Sequence, residues 1–453
     1  MSAPFQAKNN TQNQIVTFSQ KSLLQQIQST FTNLSDIRTG SNTQYEMRDA
    51  ALSAFAVFFM QNSSFLAQQK SLEKSKGRSN MESLFGVYKT PCDNQIRSLL
   101  DSVSPSELYP IFNRVFNGLL SAKYFKPFLS IDQSLLVALD GVEYFSSAKI
   151  HCACCSTQTL KNAKTRYSHK AITPVIVSPE QKQVIPLAPE FITPQDGSEK
   201  QDCELAASKR WLARERELFG NQSITILGDD LYSHQPFCSL LLKDGKHFIL
   251  ICKQDSHQTL YEWLEDFERE GKIKTHVDRE WDGKQHIFYQ YRFMNQVPLK
   301  NDDDALMVNW CEVKIKDSKG KTLYFNTFVT DYRIEHRNVK TIVAAGRARW
   351  KIENENNNTL KTKGYNFEHN FGHGKQHLAS VLATLILLAF LFHTILEFFD
   401  ECYCLLREHL SSRKMFFDDI RALTRYLYFE SWQHLMEFML TQLEIPLPKK
   451  AQS

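Results

Sequence analysis

Two apolar runs in this chain end on aspartate: Leu135–Asp140, LLVALD, and Ser223–Asp229, SITILGD, with Asp230 directly behind. A third carboxylate, Glu353, stands in RARWKIENENNNTLK, a stretch of helical character. Taken singly each is ordinary, since Asp at a strand end commonly serves as a turn or cap residue. Brought together, three carboxylates repel one another unless divalent cations lie between them, and an oxygen-only donor set suits Mg2+ or Mn2+. Two such ions about 3.5–4 Å apart would activate an attacking oxygen and stabilise a leaving one in phosphodiester chemistry.

The elements around these residues have to supply the convergence. Met1–Ser130 reads as helical, with a helix over Asp49–Gln69, a basic loop holding Lys70, Lys74, Lys76 and Arg78, and helices over Asp93–Val103 and Ser106–Ala122. Beyond Leu129 the pattern changes to strands. LLVALD is the first; AITPVIV (171–177) and VIPL (184–187) form a hairpin about SPEQKQ; Cys203–Phe219 is a helix, and SITILG (223–228) is a fourth, buried strand. A helix over Gln235–Leu242 and a strand over His247–Cys252 follow. Three antiparallel strands, a crossover and a fourth strand parallel to the first set Asp140 and Asp229 side by side at the sheet centre. From Gln254 to about Thr330 the chain has short β-like runs (286–293, 306–316 and 322–329), before a long helix over Asn338–Leu360 that carries Glu353.

The stretch FVTDYRIEHRNVKTIVAAGRARWKIENENNNTLKTKGYNFEHNFGHG, Phe328–Gly374, resembles the third-carboxylate region of DDE transposases from bacterial insertion sequences, in the subgroup with a β-rich insertion before that residue. LVALDGVEYF and ITILGDDLYSHQP resemble the first two carboxylate regions, with spacings of 89 and 124 residues, and the likeness runs from about Asp49 to Gly374. It implies an α/β chain with a ribonuclease-H-like mixed-sheet core. Residues 1–130 would form a helical DNA-binding domain, 131–253 the first part of the core, 254–330 the β-rich insertion, 331–400 the third-carboxylate helix with a buried helix, and 401–453 a helical tail. It also implies that Asp140, Asp229 and Glu353 hold two Mg2+ (or Mn2+) ions for cleavage at the element ends and strand transfer into target DNA. Asp230 stands as the alternative to Asp229. The implied partners are terminal inverted repeats and target DNA, bound by a dimer, in the nucleoid-associated cytoplasm. Arg349, one helical turn before Glu353, suits the arginine of the family's Tyr-Arg-Glu-Lys signature, which holds the cleaved end. The signature is incomplete: Gly346 occupies the tyrosine position and Leu360 the lysine position, with Lys361 one residue late. A non-catalytic, domesticated relative and a zinc-dependent DNA-binding regulator are the rival readings.

Other constellations bear on these alternatives. Cys152-x-x-Cys155 is a usable ligand pair, and His169 with Cys203 could complete a structural zinc site; reduced cysteines beside a strand are the plainer alternative. His369, His373 and His377 recur every fourth residue, but Gly372 and Gly374 make the segment a loop that lies near DNA or packs on the core. Trp310 is the tryptophan best placed to stack on an unpaired base, against the alternative of core packing.

The composition, 42% hydrophobic and 23% charged over 453 residues, fits a chain with a real core and excludes disordered or collagenous classes. The net charge of +4 is uneven, with +5 falling before residue 131, which is compatible with a polyanionic partner. The first twenty residues are polar, without the apolar core of a secretion signal, and the ten cysteines read as cytosolic thiols. Leu378–Leu396 is long and apolar enough to span a bilayer, yet Ser380, Thr384 and His393 interrupt it; a buried core helix is the expectation, with no membrane partner.

Overall fold

The computed structural model describes residues 18–40, 43–72, 79–162, 164–194 and 203–448. Six helices come first: α1 (Gln20–Phe31), α2 (Met47–Phe59), α3 (Phe65–Leu72), α4 (Asn80–Phe85), α5 (Asp93–Leu100) and α6 (Tyr109–Ser121). The single helix expected over Asp49–Gln69 is two. Gln61 takes a left-handed φ of 51°, and the Ser64 hydroxyl accepts from the Ala67 N–H at 3.1 Å, restarting the chain as α3. Ser and Asn side chains compete with the helical backbone in this way. The basic loop expected at Lys74, Lys76 and Arg78 lies outside the described residues.

Strands then alternate with helices: β1 (Leu135–Ala138), β2 (Gly141–Ser147), β3 (Ser156–Thr159), β4 (Thr165–Ile172), β5 (Val175–Val177), β6 (Ile185–Pro186), β7 (Glu190–Ile192), α7 (Glu204–Arg214), β8 (Ile224–Gly228), α8 (Gln235–Lys243), β9 (His247–Ile251), α9 (Gln258–Arg269), β10 (Lys274–Trp281), β11 (His286–Pro298), β12 (Met307–Lys316) and β13 (Thr322–Thr330). One mixed sheet of nine strands runs β10-β11-β12-β13-β9-β8-β1-β5-β6, and a smaller sheet holds β2, β4, β3 and β7. Residues 171–177, expected as one strand, divide between the two sheets. Pro174 offers no N–H to a ladder, so the chain leaves β4 and re-enters the large sheet as β5.

In the large sheet β1 is antiparallel to β5 and parallel to β8, and β8 is parallel to β9. β1 and β8 are buried along their whole length, as their unbroken apolar runs require of strands covered on both faces. The β-rich segment does not stand apart. β13 pairs antiparallel with β9, Phe328 opposite Ile251, so β10–β13 extend the same sheet. Sequence patterning missed α9, whose apolar face is Leu260, Leu264 and Phe267. It also missed β10, an exposed edge strand whose Lys274, Asp278, Arg279 and Glu280 hide any alternation and blunt the edge.

The last part of the chain is helical: α10 (Val339–Arg347), a π-helical turn (Ile352–Asn357), α11 (Asn358–Thr362), α12 (Leu378–Phe399), α13 (Glu401–His409), α14 (Arg413–Tyr426) and α15 (Trp432–Gln442). The apolar stretch is α12, and protein covers it almost throughout. Its polar interruptions each find a partner inside the protein, although His393 Nε2 is buried without one among the described residues. His393 Nδ1 lies 2.6 Å from the Tyr365 hydroxyl, Ser380 bonds to the Tyr144 hydroxyl at 3.3 Å, and Thr384 Oγ1 donates to the Ser380 carbonyl at 2.8 Å. Phe55 of α2 meets Phe392 edge-on at 5.6 Å, so the front helices and α12 share one core.

Candidate functional site

Asp140 and Asp229 each stand two residues past the same paired level, Ala138 opposite Leu227 on neighbouring parallel strands. The Leu139 N–H still donates to the Leu227 carbonyl at 2.9 Å, so the pairing carries on to the threshold of both aspartates. Glycine flanks each for a steric reason. A Cβ on Gly141 would collide with the Glu204 carboxylate, and one on Gly228 would come within 2.7 Å of the Tyr232 ring.

Asp140 and Asp229 are both partly buried. Burial foremost, then the negative charges of Glu204, Glu353 and Asp229, push the Asp140 carboxyl up to about 7, against the guanidinium of Arg349. Asp140 thus feels the charges of Glu353, Asp229 and Arg349, whereas the group of ligand-type side chains drawn tightly together among the described residues is the Cys/His one below. Asn357 Nδ2 donates to Asp140 Oδ2 at 3.0 Å, and Asn357 Oδ1 in turn accepts from Thr173 Oγ1 at 3.0 Å and from Asn356 Nδ2 at 2.9 Å. Asp229 caps the short turn behind it, its Oδ1 accepting from the Leu231 N–H at 3.0 Å. Asp230, the alternative, is committed elsewhere: its carboxylate accepts from the Lys253 N–H at 2.5 Å and from the Ser256 hydroxyl.

Glu353 lies in the π-helical turn, half exposed, with its Oε1 2.6 Å from Arg349 Nη2. Arg349, Glu353 and Asn357 follow at intervals of four, which a widened turn keeps near one face; π-helical turns of this kind recur at functional sites. The long helix expected over Asn338–Leu360 is therefore broken into α10, this turn and α11. Lys361 points away and pairs with Glu368 at 2.6 Å. Leu360, at the signature's lysine position, is fully buried. Gly346, at the tyrosine position, lies against the sheet so closely that a Cβ would come within 2.8 Å of Phe328 and 2.9 Å of Ile249. Packing thus fixes the residue at both positions.

Sequence reasoning missed two members of this neighbourhood. Glu204 opens α7 and accepts from the Gly141 N–H at 3.1 Å and from the Tyr232 hydroxyl at 2.8 Å; burial raises its carboxyl as well. Asn357 sat unnoticed in a run of asparagines. Its spacing of four from Glu353 was the available signal for it. For Glu204 the signal was an acid at the start of the crossover helix. For Trp310 the core-packing alternative holds: it is 2% exposed in the extended sheet and does not offer its face to a base, while Trp263, Trp281 and Trp350 are the exposed indoles.

A cleft of about 840 Å3 opens beside the Glu353 region. Glu355, Thr359 and Lys363 line one side, and Lys182, Arg407 and Lys414 are among the residues across it.

A second group of ligand-type side chains lies at the small sheet. Cys152, Cys155, His169 and His373 bring their ligand atoms to within 4.8 Å of one another. Cys203 is not part of it: it is exposed at the N-cap of α7, and His373, from the segment expected to be a loop, takes the fourth place. Only the fold could reveal that exchange, because His373 lies far along the chain from the other three. Burial foremost, with the neighbouring His373, drives the His169 imidazole down to about 4, so it is neutral near pH 7.

No protein-family model matches the chain, and no curated protein matches it. Among solved structures, it is similar to a piggyBac transposase in a synaptic complex with hairpin DNA. The two are 11% identical with a TM-score of 0.41, over 100% of this chain and 89% of that one.

Proposed function

We propose that the protein is a DNA transposase of the DDE type, cutting phosphodiesters at the ends of its element and joining the freed 3′ ends to target DNA. The observation that carries the reading is the placement of Asp140 and Asp229 at one level of adjacent parallel strands, within the electrostatic reach of Glu353. The order β6-β5-β1-β8-β9, three antiparallel strands followed by two parallel ones, supports a ribonuclease-H-like core, with β10–β13 as the insertion. The family resemblance supplies the bacterial insertion-sequence assignment, the dimer on DNA and the helical DNA-binding role of the front residues.

The donor set fits the cations this chemistry needs. Asp140, Asp229 and Glu353 offer oxygens alone, which suits Mg2+ or Mn2+. When bound, the ions would supply charge neutralisation for the attacking and leaving oxygens of an in-line displacement.

The chain's own residues do the rest. Asn357 fixes one oxygen of Asp140, so that the carboxylate presents a constant edge. Asp140 must release its proton, which it does as the pH rises through about 7. Arg349, whose Nη2 lies 2.6 Å from Glu353 Oε1, carries a guanidinium fork that would suit a DNA phosphate beside the carboxylate that would hold a cation. The cleft with Lys182, Lys363 and Lys414 gives the duplex backbone a positive wall.

The test is cleavage of a plasmid that carries the reading frame with its flanking DNA, in Mg2+. Wild type should nick at the element ends, and Asp140→Ala or Asp229→Ala should lower the rate by about 10³-fold or more with the fold intact. Equal rates for wild type and Asp140→Ala would remove the assignment.

A further inference from the structure

We propose that Cys152, Cys155, His169 and His373 form a closed, structural zinc site that ties the small sheet to the segment leading from Glu353 into α12. The case is geometric. Zinc bound tetrahedrally at about 2.3 Å to sulfur and 2.0–2.1 Å to nitrogen sets ligand separations of about 3.8 Å for S···S and about 3.5 Å for S···N. Here Cys152 Sγ and Cys155 Sγ are 3.9 Å apart, Cys152 Sγ and His169 Nε2 3.5 Å, Cys155 Sγ and His169 Nε2 3.4 Å, and Cys155 Sγ and His373 Nε2 3.5 Å. Four edges of the tetrahedron are thus in place, and every other pair lies within 4.8 Å.

The backbone prepares the sulfurs. Cys155 N donates to the Cys152 carbonyl at 3.2 Å, closing a turn in which the Cys152 N–H donates to Cys155 Sγ at 3.4 Å. Binding Zn2+ releases one proton from each cysteine to solvent, so two thiolates, two neutral imidazoles and the ion sum to zero charge. That balance suits a half-buried site.

The ligands come from parts of the chain that flank the proposed active site. Cys152 and Cys155 sit in the loop after β2, which begins directly behind Asp140; His169 lies on β4; His373 lies between α11 and α12. The His373 segment is already braced on its other side, where the Asp101 carboxylate accepts from the N–H groups of Lys375, Gln376, His377 and Leu378. Four ligands leave no open position, so the ion would hold structure rather than react. The inference does not depend on the transposase reading.

The full chain, expressed with added zinc and purified without chelator, should carry about one zinc per chain by elemental analysis. Co2+ exchanged into it should give the intense visible bands of a tetrahedral site together with sulfur-to-cobalt charge transfer. His373→Ala should lose the zinc, His373→Cys should keep it, and Cys203→Ser should match wild type. Wild-type protein with neither zinc nor a tetrahedral cobalt spectrum would overturn the proposal. So would a Cys152–Cys155 disulfide in place of free thiols, or full zinc content in His373→Ala.

Discussion

At the scale of single residues the charge on Asp140 is the sharpest handle. An ordinary aspartate titrates near 3.8, but burial and neighbouring carboxylates push this one up to about 7. Between those values the folded protein keeps a proton that the unfolded chain gives up. Stability without metal therefore falls as the pH rises from about 4 through about 7, a loss of roughly 4 kcal/mol at most. Asp140→Asn removes it, so the variant should melt higher than wild type at pH 8 in EDTA and nearly alike at pH 4, while losing Mg2+-dependent cleavage. A lower melting temperature for the variant at pH 8 would contradict the assigned environment. Divalent cation acts in the opposite sense, because it needs the carboxylate: the upward shift in melting temperature produced by Mn2+ should grow from pH 6 to pH 8. Asp140, Asp229 and Glu353 stood out in the sequence as acids at the ends of apolar runs and on a late helix. Glu204 and Asn357 did not, since an acid or an asparagine at a helix end is common and only the folded backbone turns these two towards Asp140.

At the scale of elements, packing explains what motif reading left open. Gly346 lets α10 approach the sheet to within contact of Phe328 and Ile249. Gly346→Tyr, which would restore the signature, should cost about 1–3 kcal/mol or more by overpacking and lower the melting temperature. A neutral or stabilising result would show that the approach is not tight. For α12, composition allowed a bilayer span, and the interrupting Ser380, Thr384 and His393 pointed the other way; each now has a partner inside the protein. Leu388 is fully buried in it, so Leu388→Ala should destabilise by about 2–5 kcal/mol in denaturant titrations carried out without detergent. Recovery of the wild type only in detergent would contradict a protein-covered helix. The strands β1, β8 and β9 were legible because doubly covered strands are unbroken apolar runs. By contrast, α9 and β10 lie at the surface, where charge masks periodicity. The breaks at Gln61 and at the π-helical turn come from local hydrogen bonding and packing, which a count of apolar spacings does not register.

At the scale of the whole molecule, the beginning and end of the described chain are joined. Asn80 donates to the carbonyls of Thr424 and Leu427 and accepts from the Phe429 N–H, and Trp432 Nε1 donates to the Leu84 carbonyl at 2.8 Å. The front helices, α12 and the tail thus share one packed body. The basic cleft lined by Lys182, Lys363 and Lys414 predicts salt-sensitive DNA binding. Lys182→Glu with Lys363→Glu should weaken duplex binding about tenfold or more near 0.1 M salt and flatten its salt dependence, with melting temperature unchanged. Unaltered affinity would move the DNA path elsewhere. All of this turns on whether three carboxylates from two strands and a helix share divalent cations. Anomalous diffraction from crystals soaked in Mn2+ measures that directly. Manganese peaks between Asp140, Asp229 and Glu353 that vanish in Asp140→Asn are expected; manganese binding with no peak at those side chains would contradict a shared cation site.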